Sequence, residues 1–477
     1  MQAIWQQRVK EVAQDKLTGN IFAAFNTNVD VVVHLTEDNV QGLCTDAQVC
    51  LSTVRELNAE EIWEVETEND FVAVIRDALG QGKSFYVILN NWNLLDWLEE
   101  KFPVRKESMG GQAGIIANQM AALGANSFVY TSLLSPKQGS MFFPEVKVPV
   151  VNGELQIKNV MDSVRSQDRT KVNWIFEYGK GEQFEIDGQV IHTPRANRVI
   201  LATRPEGVVM GFSEEMLPHL PALGEQLNVA FMAGFHYAPT EVDELQAYLK
   251  QSMDCIRQLK QNNDKLRLHF EYVPMNDTHA EKAMLTAVAE EIQSFGINEN
   301  EIKRVLRILG FERECNAIEE HERAYCLYEG AHRIMEALGF ERIQLHNLGY
   351  YVVLLKKPYD VSPEHVRSAC LYASAVNAIK AKYGGYVPYD KVKEAGDIPL
   401  SEIGLQQVKG FAEEMRREGW DIPAAFEQDG IADLGDHYVL VVPAHVVPNP
   451  VSTVGMGDTI SSSAYAYEWS PVSDRSR

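Results

Sequence analysis

The 477-residue chain has six cysteines (Cys44, Cys50, Cys255, Cys315, Cys326 and Cys370), and none of them forms a CxxC pair. That spacing excludes a zinc ribbon, a thioredoxin-like redox motif and a disulfide scaffold. With no secretory apolar segment at its start, the chain is expected in a reducing, cytoplasmic setting. No apolar run approaches the roughly 20 residues that cross a bilayer. Basic residues are also scarce, with 44 Lys and Arg against 67 Asp and Glu and a formal net charge of −23. Such a surface repels nucleic-acid phosphates and anionic membranes, and the charge excess by itself names no substrate.

The apolar content of 45% over this length supports a large core, divided into two domains or one domain with a sizeable insertion. No internal repeat or low-complexity block interrupts it, and the last residues, SPVSDRSR, read as a frayed tail. Ile4, Trp5, Val9 and Val12 recur at helical spacing in the first sixteen residues. NIFAAFNTNVDVVVHL then reads as one buried strand, with Asn26, Asn28 and Asp30 at alternate positions and therefore on one face. MGGQAGIIANQMAALG follows as a paired-glycine turn feeding a helix, with small residues where a helix would press on a sheet.

Between about residues 141 and 199 the pattern changes to strands joined by Asn-Gly and Asp-Gly turns, in VKVPVVNGELQIKNV and EQFEIDGQVIHTP. These are strong hairpin signals, and the region is expected to form a small β-rich lid. From about residue 200 strand-like pieces (NVAFMAGF, LRLHFEYV, YVLVVPAHVV) alternate with helix-like ones, which predicts a mostly parallel sheet with crossover helices.

Chemistry concentrates in NPVSTVGMGDTISSSAYAY. The Gly455-Met456-Gly457-Asp458 turn lies between a Pro-containing loop and a small-residue helix, so its amides and the helix amino terminus suit an anion such as a phosphoryl group. Asp458 beside them, expected to be ionised, suits a general base; a lone GxGD would equally fit a helix-capping aspartate.

The longer string NPVSTVGMGDTIS resembles the C-terminal signature of the ADP-dependent glucokinase and phosphofructokinase family, a branch of the ribokinase-like superfamily. MGGQAGIIAN resembles that family's glycine-rich substrate turn, NTNVD its sugar-binding strand, HFE at 269–271 its HxE motif, and NENE at 298–301 its NxxE pattern. These motifs occur in family order from about residue 20 to 465. The resemblance implies an α/β ribokinase-like large domain (1–30, 109–140 and 200–477) with a central, mostly parallel sheet flanked by helices, and a smaller lid (31–108 and 141–199). It implies transfer of a phosphoryl group from ADP, with AMP leaving. Asp458 takes the base role, and the amides of Gly455 and Gly457 form the anion hole. Mg²⁺ falls to Glu271, Glu301 and Asp458, and ADP to Asn298, His346, Asn347, Val447 and Gly457. Asn28, Asp30, Gly111 and Gln112 fall to the sugar hydroxyls, and His445 stands where the family pattern has an arginine, which argues against a phosphate contact there.

Two places bear on the sugar. Members that accept glucose carry a glutamate after GKxx, where GKSFYV has Tyr86, a phenol that cannot replace a carboxylate acceptor. Lys171, Arg198 and Arg204 fall at the spacing of the phosphofructokinase branch and suit a sugar phosphate, although Trp174 stands where relatives often carry another arginine. Fructose 6-phosphate is the expected acceptor. An ADP-dependent glucokinase or a bifunctional enzyme is the first alternative, ahead of a non-catalytic sensor or an ATP-using enzyme.

Overall fold

A computed structural model describes residues 1–204, 208–451 and 454–470. The tail expected to fray lies, from residue 471 onward, outside the described residues. The backbone is an eleven-stranded sheet in the order Ile431–Asp433, His437–Pro443, Tyr350–Lys356, Arg342–Asn347, Ser294–Asn298, Arg267–Glu271, Val229–Met232, Asn20–Ala24, Asn126–Tyr130, Lys147–Asn152 and Glu154–Asn159. The central run from Arg342–Asn347 to Lys147–Asn152 is parallel, and the pairings outside it are antiparallel. One face buries Trp5, Val9, Tyr372 and Tyr465 from the first helix and from the helices Pro363–Tyr383 and Met456–Trp469. The other buries apolar side chains of Val242–Lys260, Thr278–Glu291 and Ala324–Leu338. Crossover helices on both faces leave the central strands no water-facing side, and their continuous apolar runs follow from that. This is the ribokinase-like α/β architecture.

A second sheet of five strands runs Phe85–Ile88, Asn197–Ala202, Val172–Tyr178, Asn28–His34 and Lys106–Gly110. Its side chains alternate between two faces. Val29, Val31, Val33, Trp174, Phe176, Val199 and Leu201 point into a core closed by the helices Glu68–Gln81 and Trp92–Lys101. Asn28, Asp30, Asn173, Ile175, Arg198, Ile200 and Tyr86 occupy the other face, which lines a cleft. Removing a ring such as Phe176 from the buried face would cost about 3–5 kcal/mol, so that face fixes the register of the polar one.

Two expectations change and one holds. The run expected as one strand is two: Asn20–Ala24 belongs to the large sheet and Asn28–His34 to the small one, because the chain crosses between sheets at residues 25–27. Asn28 and Asp30 therefore reach the cleft from the lid sheet. The Asn-Gly hairpin expected in the lid instead completes the edge of the large sheet, where Phe128 pairs with Lys147 and Val148 is buried in the large-domain core. The Asp-Gly hairpin forms as read, with Asp187 and Gly188 both at positive φ (55° and 71°), as a tight two-residue turn requires.

Candidate active site

The two sheets enclose a cleft of about 290 Å³ at the carboxyl ends of the central strands, where open α/β sheets place their ligands. The lid contributes Asn28, Asp30, Asn173 and Arg198, and the large domain contributes Gly111, Gln112, Gly455 and Asp458. Gly455 holds φ 64°, and a Cβ on it would stand 2.9 Å from Ile115 Cδ1, so the turn into Met456–Trp469 needs glycine. The first-turn N–H groups of that helix have no intrahelical acceptor and carry the positive end of its dipole.

Beneath this turn the carboxylates gather. Glu271, at the end of its strand, accepts from His346 Nε2 at 2.8 Å and from His269 Nε2 at 3.1 Å. Burial works to raise its pKa, but these two histidines outweigh burial and hold it down at about 2. The charge thus fixed on Glu271 acts on its neighbours. Burial, reinforced by Glu271, raises both Glu301 and Asp458 to about 7. The expectation of a fully ionised Asp458 is therefore corrected: near neutrality it is poised between its two forms, a better match to proton transfer at that pH. Glu271, Glu301 and Asp458 thus act on one another through their charge, although their oxygens do not all come within 4.8 Å of one another in the described residues.

On the sugar side, Asn28 Nδ2 donates to Asp30 Oδ1 at 2.6 Å, and Asn173 Nδ2 lies 3.4 Å from the same oxygen. Burial lifts Asp30 to about 6 against these bonds and the nearby charges of Lys171 and Arg198. The acceptor oxygens of Gln112 and Asn173 are buried and find no partner among the described residues. Unpaired buried acceptors are costly, so both point to hydroxyl donors on a ligand.

Lys171 is buried, donating to Asn26 Oδ1 at 2.6 Å and to the Tyr237 hydroxyl at 2.7 Å; burial lowers it to about 7, helped by Arg204. Arg204 lies over the Tyr237 ring, 5.0 Å from its centre, with Nε unpartnered among the described residues. It lines a recess of about 450 Å³ that shares Tyr86, His236 and Val273 with the cleft. Arg198 stands on the lid wall itself. Tyr86 lines both spaces, 48% exposed. Trp174 points into the lid core, stacked on Phe176, so its size costs the cleft nothing.

The nucleotide-side candidates sit at neighbouring strand ends, with Asn298 in register with His346. Asn298 Oδ1 accepts from the N–H groups of Asn300 and Glu301, starting the helix Glu301–Leu309, and Asn347 Nδ2 donates to the Tyr350 hydroxyl at 2.9 Å. Val447 is half-buried against the large-domain core. His445 is buried, bonded through Nδ1 to Ser374 Oγ at 2.7 Å and lowered to about 4 by burial, so it is neutral and supplies no cation.

Sequence reasoning missed Asn173, His236, Tyr237 and Lys380. His236 and Tyr237 follow Gly234, whose φ of 105° turns the chain at the end of Val229–Met232; a glycine at the end of an α/β strand was the available signal. Lys380, buried in Pro363–Tyr383, is lowered by burial while the charge of Asp458 opposes that shift. A lone lysine on an apolar helix face was its only trace.

A polar lid face set across a cleft from a helix amino terminus, with a titrating carboxyl beside that terminus, is the arrangement of a sugar kinase of the ribokinase-like fold. The model of the ADP-specific phosphofructokinase/glucokinase conserved region matches residues 19–467, and the chain belongs to that family. The ADP-specific phosphofructokinase of Methanosarcina acetivorans is 29% identical over 97% of this chain and 96% of its own length. The solved last common ancestor of ADP-dependent phosphofructokinases from Methanosarcinales superposes with a TM-score of 0.87 at 30% identity, covering both chains fully. An ADP-dependent kinase solved with fructose 6-phosphate and ADPβS superposes at 0.81 with 29% identity over 98% of each chain.

Proposed function

We propose that this chain is an ADP-dependent 6-phosphofructokinase, moving the β-phosphoryl group of ADP to O1 of fructose 6-phosphate and releasing fructose 1,6-bisphosphate and AMP in cytoplasmic glycolysis. The observation that carries this reading is the cleft that sets the polar lid face opposite the Gly455–Asp458 turn, in a chain whose full-length relatives bear that name. Asn28, Asp30, Gly111 and Gln112 hold and orient the sugar hydroxyls. Lys171, Arg198 and Arg204 attract the 6-phosphate, with Arg204 in the adjoining recess. Asn298, His346, Asn347 and Val447 seat ADP at the carboxyl ends of the large sheet.

Asp458 takes the O1 proton as that oxygen attacks phosphorus and the bond to the AMP oxygen breaks. The N–H groups of Gly455 and Gly457 stabilise charge on the phosphoryl oxygens in transit. Glu271, Glu301 and Asp458 are the residues that would hold Mg²⁺, which when bound neutralises phosphate charge. His269 and His346 keep Glu271 ionised and oriented for that task.

Initial rates with fructose 6-phosphate or glucose, each with ADP or ATP, test the proposal. Turnover fastest with fructose 6-phosphate and ADP is expected. Preference for glucose would remove the phosphate seat while leaving Asp458 in place, and no turnover with either sugar would overturn the catalytic reading.

A further inference from the structure

At the far end of the large sheet from the cleft, Tyr328 and His332 of the helix Ala324–Leu338 meet His437 at the start of His437–Pro443. His437 lies in register with Lys356, one step beyond the amino end of Arg342–Asn347 and so roughly 16 Å along the strand direction from His346. Three side chains meet there. The metal-binding atoms of His332, Asp436 and His437 all lie within 4.8 Å of one another.

Their surroundings favour coordination over simple packing. The Tyr328 hydroxyl is 3.2 Å from His437 Nε2, which orients that ring and turns Nδ1 toward Asp436 Oδ1, 2.7 Å away. A hydrogen bond from the second ring nitrogen is what orients metal-ligating histidines generally. The His332 ring lies nearly parallel to His437, centroids 4.5 Å apart at 24°, and its nitrogens make no hydrogen bond among the described residues. Arg333 is occupied by Glu314 and Glu336 and does not reach in to neutralise Asp436.

We propose that His332, Asp436 and His437 bind one divalent transition-metal ion of the zinc class, at a site separate from the catalytic carboxylates. Ligand atoms around a tetrahedral ion stand about 3.3 Å apart, so a modest rotation of the half-exposed His332 ring closes the site, with water as fourth ligand. Two imidazoles and one carboxylate suit zinc, nickel or cobalt better than magnesium. The ion would tie Ala324–Leu338 to the turn that enters His437–Pro443, a stabilising link away from the chemistry.

The test is Zn²⁺ titration of the full-length, chelator-stripped protein under saturating Mg²⁺, followed by calorimetry and Tm, with Co²⁺ absorption as a spectroscopic check. One ion per chain, a zinc-dependent rise in Tm and the visible bands of tetrahedral Co²⁺ are expected. His332→Ala and Asp436→Asn, both at partly or fully exposed positions, should each weaken binding about tenfold or more while leaving Mg²⁺-dependent kcat unchanged. Equal zinc affinity in wild type and both variants, or no rise in Tm, would overturn the proposal and leave Tyr328, His332 and His437 as an aromatic ladder.

Discussion

Glu271 Oε1 accepts the Nε2 proton of His346 at 2.8 Å, and this bond ties the end of one central strand to the end of another two places away in the sheet. The strand between them carries Gly296, where a Cβ would stand 1.8 Å from Glu271 Oε2. The missing side chain is what lets the carboxylate lie between its two histidines.

Gly296→Ala should therefore displace Glu271 and cut kcat by about 10²-fold, because errors near 1 Å in a catalytic array cost that much. The Mg²⁺ concentration for half-maximal rate should rise with it. Rates measured across a Mg²⁺ series check both.

Lys171 gives a pH dependence with a defined sign. Burial, with Arg204, lowers it to about 7 in the free protein, so above that pH it is neutral. A phosphate dianion nearby favours the charged lysine, so binding above pH 7 takes up a proton. The KM for fructose 6-phosphate should climb, by up to about tenfold per pH unit, between about pH 7 and 9. The phosphate's own second pKa, near about 6, contributes little there. Lys171→Met should raise KM at pH 7 and flatten the profile.

Arg204→Ala removes a guanidinium from the recess beside the cleft and should raise the KM for fructose 6-phosphate about tenfold or more, sparing that for ADP. An unchanged sugar KM would take Arg204 out of the phosphate seat.

Much of this site is written locally in the chain. The GMGD turn, the HFE strand end and the alternation of Asn28 and Asp30 are short-range patterns, and each could be placed on its element from spacing alone. What spacing could not show was which sheet a strand joins. Phe25 to Thr27 carry no break signal that separates Ala24 from Asn28, and the hairpin at 147–159 has the same turn chemistry in either domain. Those choices depend on long-range burial. The bond from His346 to Glu271 was hidden for the same reason, since 75 residues separate the two, whereas His269 lies in the HFE motif itself. The fate of Lys171 was hidden too, because burial behind Tyr237 is a tertiary property.

Away from the cleft, Arg342 and Glu468 form a fully buried pair at 3.0 Å, with Arg342 also donating to Ser294 and Gln344. It fastens the end of the catalytic helix Met456–Trp469 to the large sheet. Arg342→Met strands a buried carboxylate and should cost about 3–5 kcal/mol, read as a lower denaturation midpoint. Replacing both partners by apolar residues should recover most of that loss.

The most direct test of the account is a comparison of binding and turnover in Asp458→Asn. The account predicts Kd values for ADP and fructose 6-phosphate within about twofold of wild type, an unchanged fold, and a rate of fructose 1,6-bisphosphate formation reduced by about 10²–10⁴. Near-normal turnover in that variant would contradict it, because the titrating carboxyl that faces the lid across the glycine turn would then play no part in moving the proton.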